Sequence, residues 1–138
     1  MAQEPASPRS VDQRLRNRIM EQLLLLSEGD AGVREAGTTE WFESFFDYFE
    51  YEGEKHPRAE LSTLSPAEVE ALRGVVSTMQ QACRNTPRQM TERQLIVSGW
   101  PLKAQVVAQA ALDLFMERGR YSEDIEEEQP SSPVPWPR

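Results

Sequence analysis

The chain has 138 residues, the length of one domain, and 38% of them are hydrophobic, below the ~45–50% usual in soluble domains. Its 23 acids against 15 bases leave a net charge of −8, which argues against holding nucleic-acid phosphates on a basic surface. No apolar run approaches the ~18 residues of a membrane span, and the single cysteine excludes an internal disulfide.

Met1 is followed by polar Ala2, Gln3, Glu4 and Pro5, without the basic and apolar regions of a secretory signal. A cytoplasmic protein is expected. Residues 1–10 carry prolines and serines, and residues 121–138 carry acids, prolines and serines, with few large apolar groups in either. Such segments bury too little surface to offset chain entropy. The composition therefore predicts disordered tails at 1–10 and 121–138 around a helical domain at 11–120.

Within that domain the apolar spacing is helical. Val11, Leu15, Ile19, Leu23 and Leu26 recur every three or four residues and define one face of a first helix. Arg14, Arg16 and Arg18 fall mostly off that face. The helix is expected to fade at 27–32, where Gly29 and Gly32 interrupt it. A second helix begins at Thr38 or Thr39, either able to cap it. Its apolar stripe is Trp41, Phe42, Phe45, Phe46 and Phe49, and its acidic stripe is Glu40, Glu43, Asp47, Glu50 and Glu54. A polar loop with Gly53 and Pro57 covers 52–64.

Ser65-Pro66-Ala67-Glu68 then has the signature of a capping box with proline in the first turn. The buried face predicted for this third helix is Val69, Leu72, Val75, Val76, Met79 and Cys83. Thr91-Glu92-Arg93-Gln94 is a second capping box opening a short helix. Ser98-Gly99-Trp100-Pro101 ends it and opens a last helix. There Leu102, Val106, Ala110 and Leu114, with Val107, Ala111 and Phe115, are expected to face the core, and Gly119 to stop the chain. The sequence thus predicts an all-α single domain of about five helices.

Constellations that carry chemistry are sparse. The single histidine, His56, lies in a charged loop, where histidine is usually just solvated. Cys83, on a helix face read as apolar, behaves there as a small hydrophobe. Two possible soft ligands are too few for zinc. Asp30, Glu35 and Glu40 do not follow a calcium-loop pattern, and no phosphate-loop, dinucleotide or nucleophile-elbow motif occurs. Glu43 and Asp47, four apart on a helix, have no Glu-x-x-His partner of the di-metal bundles. The expectation is a non-enzymatic protein without metal or cofactor.

Charge and aromatic content are concentrated instead. Residues 28–60 hold ten acids against three bases, and seven of the eleven aromatics fall within 41–51. The simplest reading is an amphipathic helix with aromatics inside and acids in water. Seven aromatics are more than one face needs, so Tyr48 and Tyr51 are expected to point partly outward among carboxylates. That combination suits a basic protein partner, with aromatics as anchors and acids steering the encounter. The candidate partner-binding residues are Glu43, Asp47, Tyr48, Glu50, Tyr51, Glu52 and Glu54. The tail block 123–128, five acids around Ile125, solvates the tail or covers a basic patch, for which the arginines of the first helix are one candidate.

The aromatic-acidic stretch 41–52, the Leu64-Ser65-Pro66-Ala67-Glu68 helix start, and Ser98-Gly99-Trp100-Pro101 leading into Ala110-Ala111-Leu112 form a layout. Over residues 12–117 it resembles small bacterial immunity-like helical proteins, which accompany secreted toxins. In character it is also similar to the acidic helical immunity proteins of nuclease bacteriocins, although their tyrosine motif is absent. The resemblance implies a binder and carries over no catalytic residue. The expected function is an immunity-type inhibitor of a basic partner. The alternatives are a homodimeric regulatory or assembly subunit using exposed aromatics, and an acidic nucleic-acid mimic.

Overall fold

Helical periodicity and caps build the chain into a bundle. The structure is a computed structural model that describes residues 7–49 and 61–131. Among these, six helices occur and no β-strand: α1 (Pro8–Ser27), α2 (Asp30–Ala36), α3 (Thr38–Phe46), α4 (Pro66–Arg84), α5 (Glu92–Ser98) and α6 (Trp100–Arg118). The all-α single domain read from the sequence is what the chain forms. Helix α6 is the hub, packed against α1 and α4 and touched by α2 and α5.

Both predicted capping boxes form. Ser65 Oγ accepts from the Glu68 amide at 3.2 Å while Glu68 Oε1 accepts from the Ser65 amide at 2.8 Å. Thr91 and Gln94 repeat the exchange at 3.1 and 2.8 Å. At α3, by contrast, Gly37 holds the cap position and makes no side-chain cap bond, so neither Thr38 nor Thr39 caps it.

The sixth helix is α2, where a break was expected. Gly29 turns the chain at φ +59°, a conformation that ends α1 and starts α2 directly. Gly32 permits the tight approach that follows, since a Cβ there would stand 2.4 Å from the Leu25 carbonyl oxygen. The two glycines are thus a corner between two helices. Gly32→Ala is expected to cost about 1–3 kcal/mol of stability, as overpacking does. Urea titration of the two proteins checks this, and an unchanged midpoint would contradict the close approach.

The core holds Ile19, Met20, Leu23 and Leu26 of α1, Trp41, Phe45 and Phe46 of α3, Leu72, Val75 and Met79 of α4, and Leu112 and Phe115 of α6. Phe49, past the end of α3, stacks on Phe45 with ring centroids 4.6 Å apart. Five side chains read as core-facing are exposed, Ala110 among them. Val11 is exposed. Cys83 is also exposed, because α4 buries Ala82 at its last turn. In α6 the buried side is Ala104, Ala108, Ala111 and Phe115, while Leu102 and Val106 face solvent. Alanines let α6 lie close to both α1 and α4, and this close packing outweighs the burial of its larger aliphatics.

Arg16, expected mostly off the buried face, is fully buried. All five of its N–H donors are matched. Nη1 donates to Glu68 Oε1 at 2.7 Å and to the Thr63 carbonyl at 3.2 Å. Nη2 donates to the Phe115 and Gly119 carbonyls at 3.2 and 3.0 Å, and Nε to Gly119 at 3.3 Å. Its charge thereby closes the negative C-terminal end of α6. Arg118 completes the cluster, donating to both oxygens of Glu68 at 2.7 and 3.2 Å.

The same polar half of α1 explains the ends of the chain. Ser7 caps α1 through the Ser10 amide, so helix begins inside the segment read as a tail. Residues 121–131 are also packed rather than loose. Asn17 exchanges two hydrogen bonds with the backbone of Tyr121, at 2.9 and 3.2 Å. Gln13 donates to the Ser122 and Ile125 carbonyls at 2.9 and 2.8 Å and accepts from the Glu127 amide at 2.8 Å. Arg9 donates to the carbonyls of Glu127 and Glu128 and stacks its guanidinium 5.1 Å from the Tyr121 ring centre. Arg18 pairs with Glu123. Side-chain hydrogen bonds to backbone, together with the buried ring of Tyr121, hold this segment, and composition does not show either. Of the arginines read as a basic patch, Arg18 pairs with the Glu123 carboxylate and Arg14 donates to the Glu123 carbonyl, whereas Arg16 is bound by Glu68 and not by the acidic block. The expectations for residues 1–6 and 132–138 lie outside the described residues.

Candidate partner-binding face

Helix α3 is fixed from behind. Trp41 and Phe45 are fully buried, and Trp41 meets Phe42 edge-on with centroids 4.9 Å apart. The helical period that places these rings inside places Glu40, Glu43 and Asp47 outside, and all three are exposed. Tyr48 is half-buried and packs at the edge of the core. It therefore presents part of its ring beside Asp47 on a rigid base. Of the seven residues singled out in the sequence, Glu43, Asp47 and Tyr48 share this region. Glu50, Tyr51, Glu52 and Glu54 lie outside the described residues, as does His56.

Negative charge is also gathered on the neighbouring helix. Glu28, at the end of α1, meets Glu35 of α2, the helix that packs on α3. Partial burial of Glu28, then the like charge of Glu35 and a hydrogen bond to it, push the Glu28 carboxyl above its ordinary value. Helical spacing does not relate the pair, because Glu28 ends α1 and Glu35 lies in α2, beyond the corner at Gly29.

A cleft of about 450 Å³ opens beside α3. Thr38, Phe42 and Glu43 form one wall, Cys83 at the end of α4 forms another, and Arg88 and Met90 of the α4–α5 connection close it. Glu43 thus stands at both the acidic face and the rim of the cleft. The exposure of Cys83 here was hidden in the sequence, since one turn of α4 contains both Ala82 and Cys83 and apolar spacing fits either.

The buried Arg16–Glu68–Arg118 cluster is a different kind of site. Burial alone would raise the Glu68 carboxyl; hydrogen bonds from Arg118, Arg16 and the Ser65 amide outweigh it and hold the group below its ordinary value. Burial lowers Arg16, opposed by its bond to Glu68. With Arg16 and Glu68 at most 1% exposed, the pair has no access to a substrate. It joins α1, α4 and α6. Among the described residues no group of three or more histidine, cysteine or acidic side chains converges on a point that would hold a metal ion.

No protein-family model, curated protein or solved structure matches the chain.

Proposed function

We propose that the chain is a non-enzymatic protein-binding module whose acidic α2–α3 surface takes a basic protein partner, in its most concrete form a toxin that it neutralises as an immunity-type inhibitor. One observation carries this reading. Glu43 and Asp47 project from a helix whose opposite side is locked into the core by Trp41 and Phe45. Carboxylates on a rigid base keep their field in one direction, which raises the rate of encounter with a basic surface without ordering cost on binding. The adjacent Glu28–Glu35 pair adds to that field. The homodimer reading needs aromatics at the surface, and α3 supports it less, since Trp41, Phe45 and Phe46 are buried and Phe42 and Tyr48 are half-buried.

The test is capture of partners from the source cell by the immobilised full chain, at low and at raised salt. The expected result is one stoichiometric protein of basic isoelectric point, released as salt screens the charges. Tyr48→Ala is expected to weaken that complex by about 1–2 kcal/mol. Capture of an acidic protein, or binding indifferent to salt, would overturn the proposal.

A further inference from the structure

Helix α6 carries large apolar residues on its outer side as well as on its buried one. Thirteen of its nineteen residues are apolar, yet only the side bearing Ala104, Ala108, Ala111 and Phe115 is buried. On the opposite side Leu102 is 53% exposed, Val106 71% and Met116 40%. Ala110 is exposed between them. These four stand among the exposed polar residues Lys103, Gln109, Asp113 and Glu117, so the outer side is a mixed surface of apolar and charged groups. This surface is separate from the acidic face of α3.

The order of charges along α6 indicates what covers it. Lys103, Ala110 and Glu117 recur at seven-residue intervals, two turns apart, and therefore run along one edge of the exposed side. Leu102, Gln109 and Met116 do the same along the other edge. Both rows are centred at 109–110, and the first has a cation at one end and an anion at the other. A second α6 laid antiparallel, with a two-fold axis beside Ala110, sets Lys103 of each copy against Glu117 of the other and Leu102 against Met116. Such mutual matching is the requirement of an isologous interface. Ala110 at the axis lets the two helices approach closely. Gln109 already donates to Asp113 at 2.9 Å, so the carboxylate nearest the centre is engaged within its own helix.

We propose that the protein forms a homodimer through the outer side of α6, with helices antiparallel about Ala110 and two Lys103–Glu117 pairs at its ends. Sedimentation of the full chain at high micromolar concentration tests this. The expected mass is that of two chains, falling to one in Val106→Glu while the circular dichroism stays helical. Lys103→Glu and Glu117→Lys each place like charges at both ends and are expected to weaken the dimer about tenfold or more. An equimolar mixture of those two variants restores both pairs and is expected to dimerise like the parent chain. A parent chain that stays monomeric, or a dimer that ignores the charge reversals, would overturn the proposal. So would single variants that are monomeric alone and remain so when mixed.

Discussion

Glu68→Gln is expected to destabilise the fold by about 3–5 kcal/mol, the usual cost of removing one partner of a buried ion pair. The substitution keeps the shape and leaves the amide oxygen able to accept from the Ser65 amide, so the N-terminal cap of α4 survives. What it removes is the negative charge facing Arg16 and Arg118, whose guanidinium groups stand 2.7 Å from Glu68 Oε1. Arg16 has no route to water, being fully buried, and an arginine cannot shed its proton to escape. The loss should depend on pH. The Glu68 carboxyl is held below its ordinary value of 4.5. Its ionisation therefore contributes stability that is complete above that value and is lost as the pH falls through the lower folded-state value. Denaturant titrations at neutral and strongly acid pH should show a large gap between the parent and Glu68→Gln at neutral pH that narrows in acid. A gap that does not change with pH would mean that the carboxylate charge is not what holds the three helices together.

The second large effect concerns Trp41. It is fully buried, and its indole Nε1 has no hydrogen-bond partner among the described residues. Trp41→Ala is expected to cost about 3–5 kcal/mol through the cavity it leaves against Phe42 and the rest of the core. Trp41→Phe keeps a ring and removes the orphaned N–H, whose burial is itself unfavourable. It is expected to cost under about 1.5 kcal/mol, in the range of shape-tolerant apolar swaps. Urea titration of both variants checks the contrast. Equal losses would imply that the N–H, not ring volume, is what the site uses. The same pair of variants bears on function, because α3 presents Glu43 and Asp47 only as firmly as its inner rings are held.

Sequence periodicity located the helices well where one face carried all the large apolar groups. Trp41, Phe45 and Phe49 were legible for that reason, and the capping boxes at Ser65 and Thr91 were legible because their side-chain chemistry is local. Periodicity failed on α6, where small and large apolar residues occupy opposite sides and spacing alone favours the larger ones. The buried side is the alanine side because two neighbouring helices approach it closely. Arg16 was misplaced because its burial depends on Glu68, 52 positions away in sequence, and on α6 carbonyls farther still. Gly29 and Gly32 were correctly noticed and wrongly read: they mark a corner, and a helix follows at once. The docking of residues 121–131 was illegible to composition, since it rests on Gln13, Asn17 and Arg9 reaching backbone groups. For the candidate site, Glu43, Asp47 and Tyr48 follow from pattern, whereas the Glu28–Glu35 contact depends on the corner between α1 and α2, and the cleft beside Cys83 on the path of the α4–α5 connection.

Whether the acidic face of α3 meets a basic protein is decided by the association rate of the captured partner with the parent chain and with the double variant Glu43→Lys/Asp47→Lys, each across a range of salt. Both carboxylates are exposed and neither belongs to the core, so the variant should keep its fold. The expected association rate is about ten- to a hundredfold slower for the variant at low salt, converging with the parent as salt rises. Equal rates at low salt would contradict it and place the binding surface elsewhere on the molecule.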